Sequence, residues 1–470
     1  MTNATGTRVG IRRSSCVLRA RAALGIVACA LAALVDQRAG DFPFVFDDRT
    51  RVLLNPSLVD RWDLRAPLLH DLPGTAVNLS YAVDRALWGF SSFGFHLTNV
   101  ALHVIVVGLF YGWCTRALAD GVRPGSDPGL TPGVQGSDWP AFFAAATFGV
   151  HPVMGATAAY VSARSELLGA AGVLAALIYA RRAIIRSSVA AGAAAIAFGV
   201  LALGSSSAAA GLPVLVLAYD AWVLRDPAWT RRLWRVYVPA LMAVGLAVAW
   251  DPRIVLPAAR VPPRGLVANL LTEGIVIWRY VGLLLVPAGQ ALVHQVRWVT
   301  SPTDPLGLLA LGGLAAAVTA AVRARRAAPV AAFGVCWFVM ALAPTSTVVP
   351  LGDAMAEPRA YVAGAGLCLA AASLVAQALA ARRAARVAGF CVLAVLTVQS
   401  QVRYAVWADP LRLWEESVHR SPGAWQAHLG YAESLREIEQ CARAIPEYET
   451  TLRLNPAQPD AVAGLKACRR

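Results

Sequence analysis

Apolar runs recur along most of this chain, separated by short polar stretches rich in arginine. A membrane-spanning helix needs about 20 predominantly apolar residues. Candidate runs lie near 96–116, 139–158, 160–180, 188–205, 208–224, 236–250, 267–289, 304–322, 328–350, 361–380 and 387–405, and a shorter run, Ala22–Val35, precedes them. Arg8, Arg12, Arg13, Arg19 and Arg21 stand before that first run. This order fits a cleaved signal peptide. No clear small-x-small cleavage site follows, however, so a retained first span with a cytoplasmic N-terminus is expected. Four later clusters, Arg181/Arg182/Arg186, Arg231/Arg232/Arg235, Arg323/Arg325/Arg326 and Arg382/Arg383/Arg386, punctuate the remaining runs. If all are cytoplasmic, even numbers of crossings must separate them. Three runs lie between Arg235 and Arg323, so one of the three is expected to be re-entrant or interfacial. Run 267–289 is the choice because it carries Glu273 and Arg279. The total is then about eleven spans.

Two polar stretches differ in kind. Segment 119–138 is rich in Gly, Pro, Asp and Ser and reads as a flexible cytoplasmic loop. Segment 38–94 is long and mixed and falls on the external side. Within it Leu79, Ala82, Val83, Ala86 and Leu87 form a helical stripe with Asn78, Asp84 and Arg85 off it, which predicts an interfacial helix. After Gln401 the chain turns polar and helix-prone. The expected fold is all-α: a polytopic helical membrane domain over 1–405 and a short helical tail over 406–470.

Composition agrees. Of 470 residues, 57% are hydrophobic and 15% charged, and the mean hydropathy is +0.54. A soluble protein of this size carries far more charge. The net charge of +14 is almost all arginine, with Lys466 the single lysine. Such charge can orient helices, and no nucleic-acid partner is implied. The Ala/Arg richness with almost no lysine suggests a GC-rich bacterial coding bias, hence a bacterial cytoplasmic membrane. Eight cysteines are scattered without a CxxC or Cys/His cluster, so neither zinc nor a disulfide framework is indicated. Cys441 and Cys468 could meet if the tail is external, but unpaired buried thiols are the expectation.

Several short patterns occur in order: FVFDDR at 44–49, NLSYAVDRALWGFSSFGFHLTN at 78–99, HPV at 151–153, AYVSARSELL at 159–168, LPVLVLAYD at 212–220, NLLTEGIVIWRYVGLLLVP at 269–287, WFVMALAPTS at 337–346 and EPRAYV at 357–362. The stretch AHLGYAESLREIEQCARAIPEYETTLRLNP, residues 427–456, resembles one tetratricopeptide repeat, with small Ala432 and Ala444 at the helix crossing, Tyr448 packing and Pro456 ending the unit. At least three such repeats are usually needed for independent stability, so the tail should lean on the membrane domain or on a protein partner. The ordered set resembles the transmembrane-and-tetratricopeptide-repeat protein O-mannosyltransferases and their bacterial relatives, which are GT-C-type glycosyltransferases. The resemblance implies an enzyme of the lipid bilayer that takes a sugar, mannose or another hexose, from a polyprenyl-phosphate donor. The acceptor would be a Ser or Thr hydroxyl of an exported protein, and the repeats would face the external side.

Asp47 and Asp48 match the acidic motif of the family's first external loop and are the expected catalytic residues. A carboxylate within hydrogen-bond reach can take the proton of a weakly nucleophilic hydroxyl. It can also hold a divalent metal on the donor phosphate, so Asp47 and Asp48 are the expected ligands if a metal ion is used. The plainer reading is an acidic turn paired with Arg49 or Arg51. His96, Asn99 and His103 share one face of the second span and would line a sugar pocket, or serve as interhelical glue. His151 is expected in an external vestibule where Pro152 breaks the helix. Arg164 and Glu166 follow in the next external turn and would serve the site or pair with each other. Arg279, beside Tyr280, sits inside an apolar run, and its guanidinium suits the carrier phosphate. Its alternative is an interfacial anchor beside Trp278. Glu357 and Arg359 would join the same site from another external turn, with His294 in a similar position.

Departures from the family pattern are also visible. Gly74-Thr75-Ala76 stands where relatives usually have Arg-Pro-Leu, Gly155 and Ala156 replace Thr-Glu, Ser205-Ser206-Ser207 replaces Ser-Lys-Glu, Pro358 interrupts Glu-His-Arg, and Val293-His294-Gln295 replaces an Asp-His-Asp-like stretch. Three functions are therefore weighed: a polyprenyl-phosphate-dependent glycosyltransferase, a catalytically degenerate membrane-anchored scaffold, and a lipid-linked saccharide transporter. Retained Asp47, Asp48 and Arg279 favour the first, and the lost charges favour the second. The absence of an obvious internal duplication weakens the third.

Overall fold

The computed structural model describes residues 4–63, 65–122, 138–254, 265–346 and 353–469. Among these residues the chain is helical with no strand. Among the described residues nine helices are long and apolar enough to cross a membrane: Arg19–Asp41, Ser92–Asp120, Val161–Arg186, Ser207–Leu224, Trp229–Trp250, Leu266–Leu285, Pro305–Ala324, Glu357–Ala376 and Arg383–Trp407. Trp139–Val150 and Pro152–Ala159 make a tenth if the pair, bent by 51°, counts as one span. The bend falls where Pro152 can start a helix but cannot continue one. Among the described residues, two runs expected as spans, 188–205 and 328–350, hold the shorter helices Val189–Leu203 and Pro329–Leu342. Most of the expected loop 119–138 lies outside the described residues.

The outer surface is what lipid would solvate. Ile196, Leu246, Leu309 and Val398 are more than half exposed there, and so large an apolar surface is not found on soluble monomers. Inside, small residues let helices approach. Gly334 and Gly366 face each other where Pro329–Leu342 crosses Ala360–Ala381, and a methyl group on either would overlap the other's carbonyl oxygen.

Helix Leu266–Leu285 and its neighbour Pro305–Ala324 run side by side in the same direction: Gly307 lies on Leu271, Gly274 on Leu311 and Gly313 on Trp278. The segment between them returns along the first helix. The Gln295 carbonyl accepts from Arg279 at 2.9 Å, and the Val299 amide donates to the Thr272 hydroxyl at 3.0 Å. The chain thus starts both helices at one level, and each of the two is long and apolar enough to cross a membrane. The charges of the first are accommodated on two faces, with Glu273 buried and Arg279 exposed.

Arginines gather at one end of the bundle. Arg21 pairs with Asp138 at 2.8 Å, and Arg181 with Asp120 at 2.5 Å. Arg232 pairs with Asp220 at 2.7 Å, and Arg225 donates to the Arg326 carbonyl at 3.4 Å. Segments 36–63, 75–91, 151–164, 286–304 and 353–359 lie at the opposite end. In helix Thr75–Trp88 the expected stripe splits. Val83 and Leu87 are exposed, whereas Asn78 and Asp84 are buried against the protein.

The tail comprises helices Pro410–Arg420, Trp425–Glu437, Cys441–Leu454 and Pro459–Cys468. Ala432, Ala444 and Tyr448 are fully buried. Gly430 receives the Trp414 ring, and Gly464 receives the Tyr448 ring. That last packing folds the final helix back, and Cys441 and Cys468 are joined in a disulfide with a Cα separation of 5.1 Å. The expectation of free thiols is thereby corrected. The tail leans on the rest of the protein. Ser421 donates to the Val293 carbonyl at 2.9 Å, Arg403 pairs with Glu416 at 2.8 Å, and Trp414 meets Phe46 edge to face.

Candidate functional site

The acidic pair lies in a turn at the end opposite the arginines. The chain leaves helix Ala4–Asp36 through Gln37–Asp41, runs extended over residues 42–45, and turns at Phe46 with φ of 50°. Left-handed backbone is strained for a bulky residue and persists only where the surroundings over-determine it. Here the Phe46 ring is packed on Trp414. The turn sends the two carboxylates to different fates. Asp48 is fully buried: Oδ1 accepts from the Ser162 amide at 2.7 Å and the Ser162 hydroxyl at 2.6 Å, and Oδ2 accepts from the Val45 amide at 3.1 Å. Burial pushes its carboxyl up to about 7, against the opposing pull of the Ser162 bonds. Asp47 is half-buried. Its amide donates to the Tyr160 hydroxyl at 3.3 Å, while no hydrogen bond from the described residues ends on its carboxylate. Arg51 and Tyr160 are within electrostatic reach of both carboxylates. A cavity of about 200 Å³ opens beside Arg51, lined also by His70, Asp71, Tyr81, Ser165 and Ser205.

Arg164 and Asn99 stand behind this turn. The Arg164 guanidinium is fully buried and pairs with Asp84 at 2.6 Å. It also donates to Asn99 Oδ1 at 2.7 Å, the Phe95 carbonyl at 2.7 Å and the Ser80 hydroxyl at 3.3 Å, and it lies over the Tyr81 ring. Asn99 in turn donates to the Tyr160 carbonyl at 3.0 Å. Neither side chain is open to a substrate. Both instead fix the 159–164 turn that holds Asp48, which corrects the expectation that they bind one. Glu166 is not paired with Arg164. It accepts from the Ser206 hydroxyl at 2.9 Å and lies within electrostatic reach of Arg359. Ser206 therefore meets the acidic residue as a neutral hydrogen-bond donor.

The histidines are also committed to the scaffold. His96 is buried, with Nδ1 bonded to the Ser92 carbonyl at 2.8 Å and Phe42 and Phe44 against its ring. His151 is 3% exposed and lies in no open vestibule. Its Nδ1 caps the next helix by accepting from the Val153 amide, and Nε2 donates to the Leu284 carbonyl. Tyr280 donates to the Ala356 carbonyl and accepts from the Ala356 amide, so it holds the strand of chain leading into Glu357. Glu357 accepts from the Ala291 amide at 2.7 Å, from His294 Nε2 at 2.9 Å and from Gln290 at 3.1 Å, anchoring the returning segment.

Of the two expected phosphate cations, Arg279 is exposed and ties down Gln295, contacts it does not share with the acidic pair. Arg359 lies nearer. It donates to the Asp353 carbonyl at 2.8 Å, and the Asp353 carboxyl, raised by burial, feels both Arg359 and Asp47. Gln426 of the tail reaches the same Asp353 at 3.2 Å.

Ser162 and Tyr160 were not singled out from sequence, although both lie inside a quoted motif, and Arg51 was named only as a pairing partner of the acidic turn. Asp36 was also missed. It is fully buried, accepts from the Tyr404 hydroxyl, and has His103 Nε2 3.5 Å away; His103 Nδ1 meets the Tyr361 hydroxyl at 2.6 Å. A carboxylate closing the first apolar run was the available signal. A side chain on Gly155 would overlap the Tyr404 hydroxyl, so the glycine makes room for the Asp36 bond.

No group of three or more His, Cys, Asp or Glu residues is gathered to hold a metal ion among the described residues. Asp48 spends both oxygens on protein donors, so a metal shared by the acidic pair does not fit the donor set. No family model matches the chain, and comparisons with curated proteins and with solved structures likewise found no match.

Proposed function

We propose that this protein is an integral-membrane glycosyltransferase that moves a hexose from a polyprenyl-phosphate carrier to a Ser or Thr hydroxyl of an exported protein. One observation carries the reading. The sequence patterns that suggested it are far apart in the chain yet bonded to one another. Asp48 of the first meets Ser162 of the fourth, Asn99 of the second meets Tyr160 and Arg164 of the fourth, and Tyr280 of the sixth meets the residue preceding the last. An ordered set of motifs with no common site would have no reason to converge.

Within this reading Asp47 is the base. Its open carboxylate takes the acceptor hydroxyl proton as the oxygen bonds to the sugar C1 and the C1–phosphate bond breaks, the phosphate leaving with the electron pair. Arg51 and Arg359 offset the charge on the leaving phosphate. Asp48 holds the turn. Purified protein in vesicles, given a polyprenyl-phosphate hexose and a Ser/Thr-rich peptide, should transfer sugar. Folded protein that transfers none would favour the scaffold reading, which the neutral Ala156 and Ser206 support.

The arginine end faces the cytoplasm and the acidic turn and tail face outward, in a bacterial cytoplasmic membrane. Supporting this are the gathering of the arginine clusters at one end and the tail disulfide, which calls for an oxidising compartment. The tail is a short tetratricopeptide-repeat array docked over the acidic turn. Reporter fusions after residues 325 and 385 should read cytoplasmic, and those after 60 and 430 external. A cytoplasmic tail would overturn the orientation.

A further inference from the structure

Away from the acidic turn, a groove of about 790 Å³ lies between helices Ser92–Asp120, Arg164–Arg186 and Val189–Leu203. Its walls are apolar, formed by Ile105, Leu109, Leu168, Ala171, Ile178 and Phe198. Gly112 and Gly172 also line it, and the second lets helix Arg164–Arg186 pack directly on Ala202. From Leu168 to Arg186 it extends about 27 Å at the helical rise of about 1.5 Å per residue. That is nearly the hydrocarbon thickness of a bilayer.

The groove ends among four arginines, Arg116, Arg181, Arg182 and Arg186. Arg181 is neutralised by Asp120 through two hydrogen bonds, at 2.5 and 2.7 Å. Arg116 donates to the Gly112 carbonyl of its own helix, and among the described residues no carboxylate pairs with Arg116, Arg182 or Arg186. An apolar trough closed by three unbalanced guanidinium groups is complementary to one kind of molecule, an anion on a long hydrocarbon chain. Basic pockets between spans suit anionic headgroups in this way, and guanidinium forks suit phosphate.

We infer that this groove binds one anionic phospholipid of the leaflet on the arginine side. An acyl chain lies along Leu109, Ala171 and Phe198, and the phosphate sits among Arg116, Arg182 and Arg186. The site is separate from the acidic turn and does not depend on the glycosyltransferase reading. It differs from ordinary snorkelling, in which each arginine would meet bulk headgroups and no lipid would be retained.

The test is native mass spectrometry of the full chain released from nanodiscs of phosphatidylcholine with a minority of phosphatidylglycerol. The wild type should retain one phosphatidylglycerol. Retention should fall by roughly fivefold or more in the Arg116→Gln/Arg182→Gln/Arg186→Gln variant. It should fall similarly in Ala171→Leu, which keeps every charge but fills the trough. Equal retention of the two lipids, or wild-type retention in either variant, would overturn the site. So would displacement of phosphatidylglycerol by an equimolar polyprenyl phosphate, which would name a different occupant. If a variant does not fold, photoactivatable phosphatidylglycerol on the unaltered protein decides. Cross-links should concentrate in residues 105–116 and 168–186, and an even spread over the spans would contradict the inference.

Discussion

Replacing Asp47 with Asn is expected to lower sugar transfer by about a hundredfold or more while leaving the protein folded. The amide keeps the size of the side chain and removes the base. The loss should not be structural, because the Asp47 carboxylate supports no hydrogen bond among the described residues, and its backbone contacts to Tyr160 and Thr50 are untouched. Asp48→Asn should behave in the opposite way. Its amide nitrogen would confront either the Val45 amide or the Ser162 donors, and an unsatisfied buried donor costs about 1–3 kcal/mol. The pH dependence separates the two further. Asp48 in the folded protein titrates at about 7, raised by burial, against roughly 3.9 for an unfolded aspartate. The folded state therefore binds this proton more tightly. That contribution to stability is fully present below about pH 4 and is lost as the pH rises through about 7. In detergent, the melting temperature of the wild type should drop relative to Asp48→Asn across that window. Parallel curves for the two proteins would refute the assignment, and full transfer by Asp47→Asn at normal protein level would remove Asp47 as the base.

Arg164→Ala should abolish the folded protein altogether. The substitution strands Asp84, which is 2% exposed, without its charge partner and deprives Asn99 and the Phe95 carbonyl of a donor. Breaking a buried pair from one side costs about 3–5 kcal/mol, a large share of the stability of a typical domain. Arg164→Lys should restore the charge but not the fork, so it should recover only part of the monodisperse yield. The readout is the fraction of detergent-extracted protein that elutes as a single species. Normal yield with lost transfer would instead make Arg164 a substrate ligand.

Helical class and helices able to cross a membrane were legible because bilayer thickness imposes a run length. Leu266–Leu285, which parity marks as re-entrant, is long and apolar enough to cross a membrane, and the segment after it returns along it. The span count was less legible, since Val189–Leu203 and Pro329–Leu342 are shorter than their apolar runs. In the candidate site, residue types did not reveal which side chains are committed to the scaffold. His151, Arg164 and Tyr280 are polar residues in a membrane protein for a scaffolding reason: each satisfies buried backbone or charge that lipid cannot. The difference between Asp47 and Asp48 depends on the Phe46 turn, and a left-handed phenylalanine leaves no mark in sequence. Arg359 shares the surroundings of Asp353 with Asp47 while Arg279 bonds to Gln295, a difference that only tertiary packing decides.

The most direct test of the central claim is intact-mass analysis of exported proteins from cells with the gene, without it, and complemented by Asp47→Asn. Loss of a hexose increment from Ser/Thr peptides on deletion, restored by the wild type and not by Asp47→Asn, is the predicted result. Identical masses in all three strains, with the protein present in the membrane, would contradict the account.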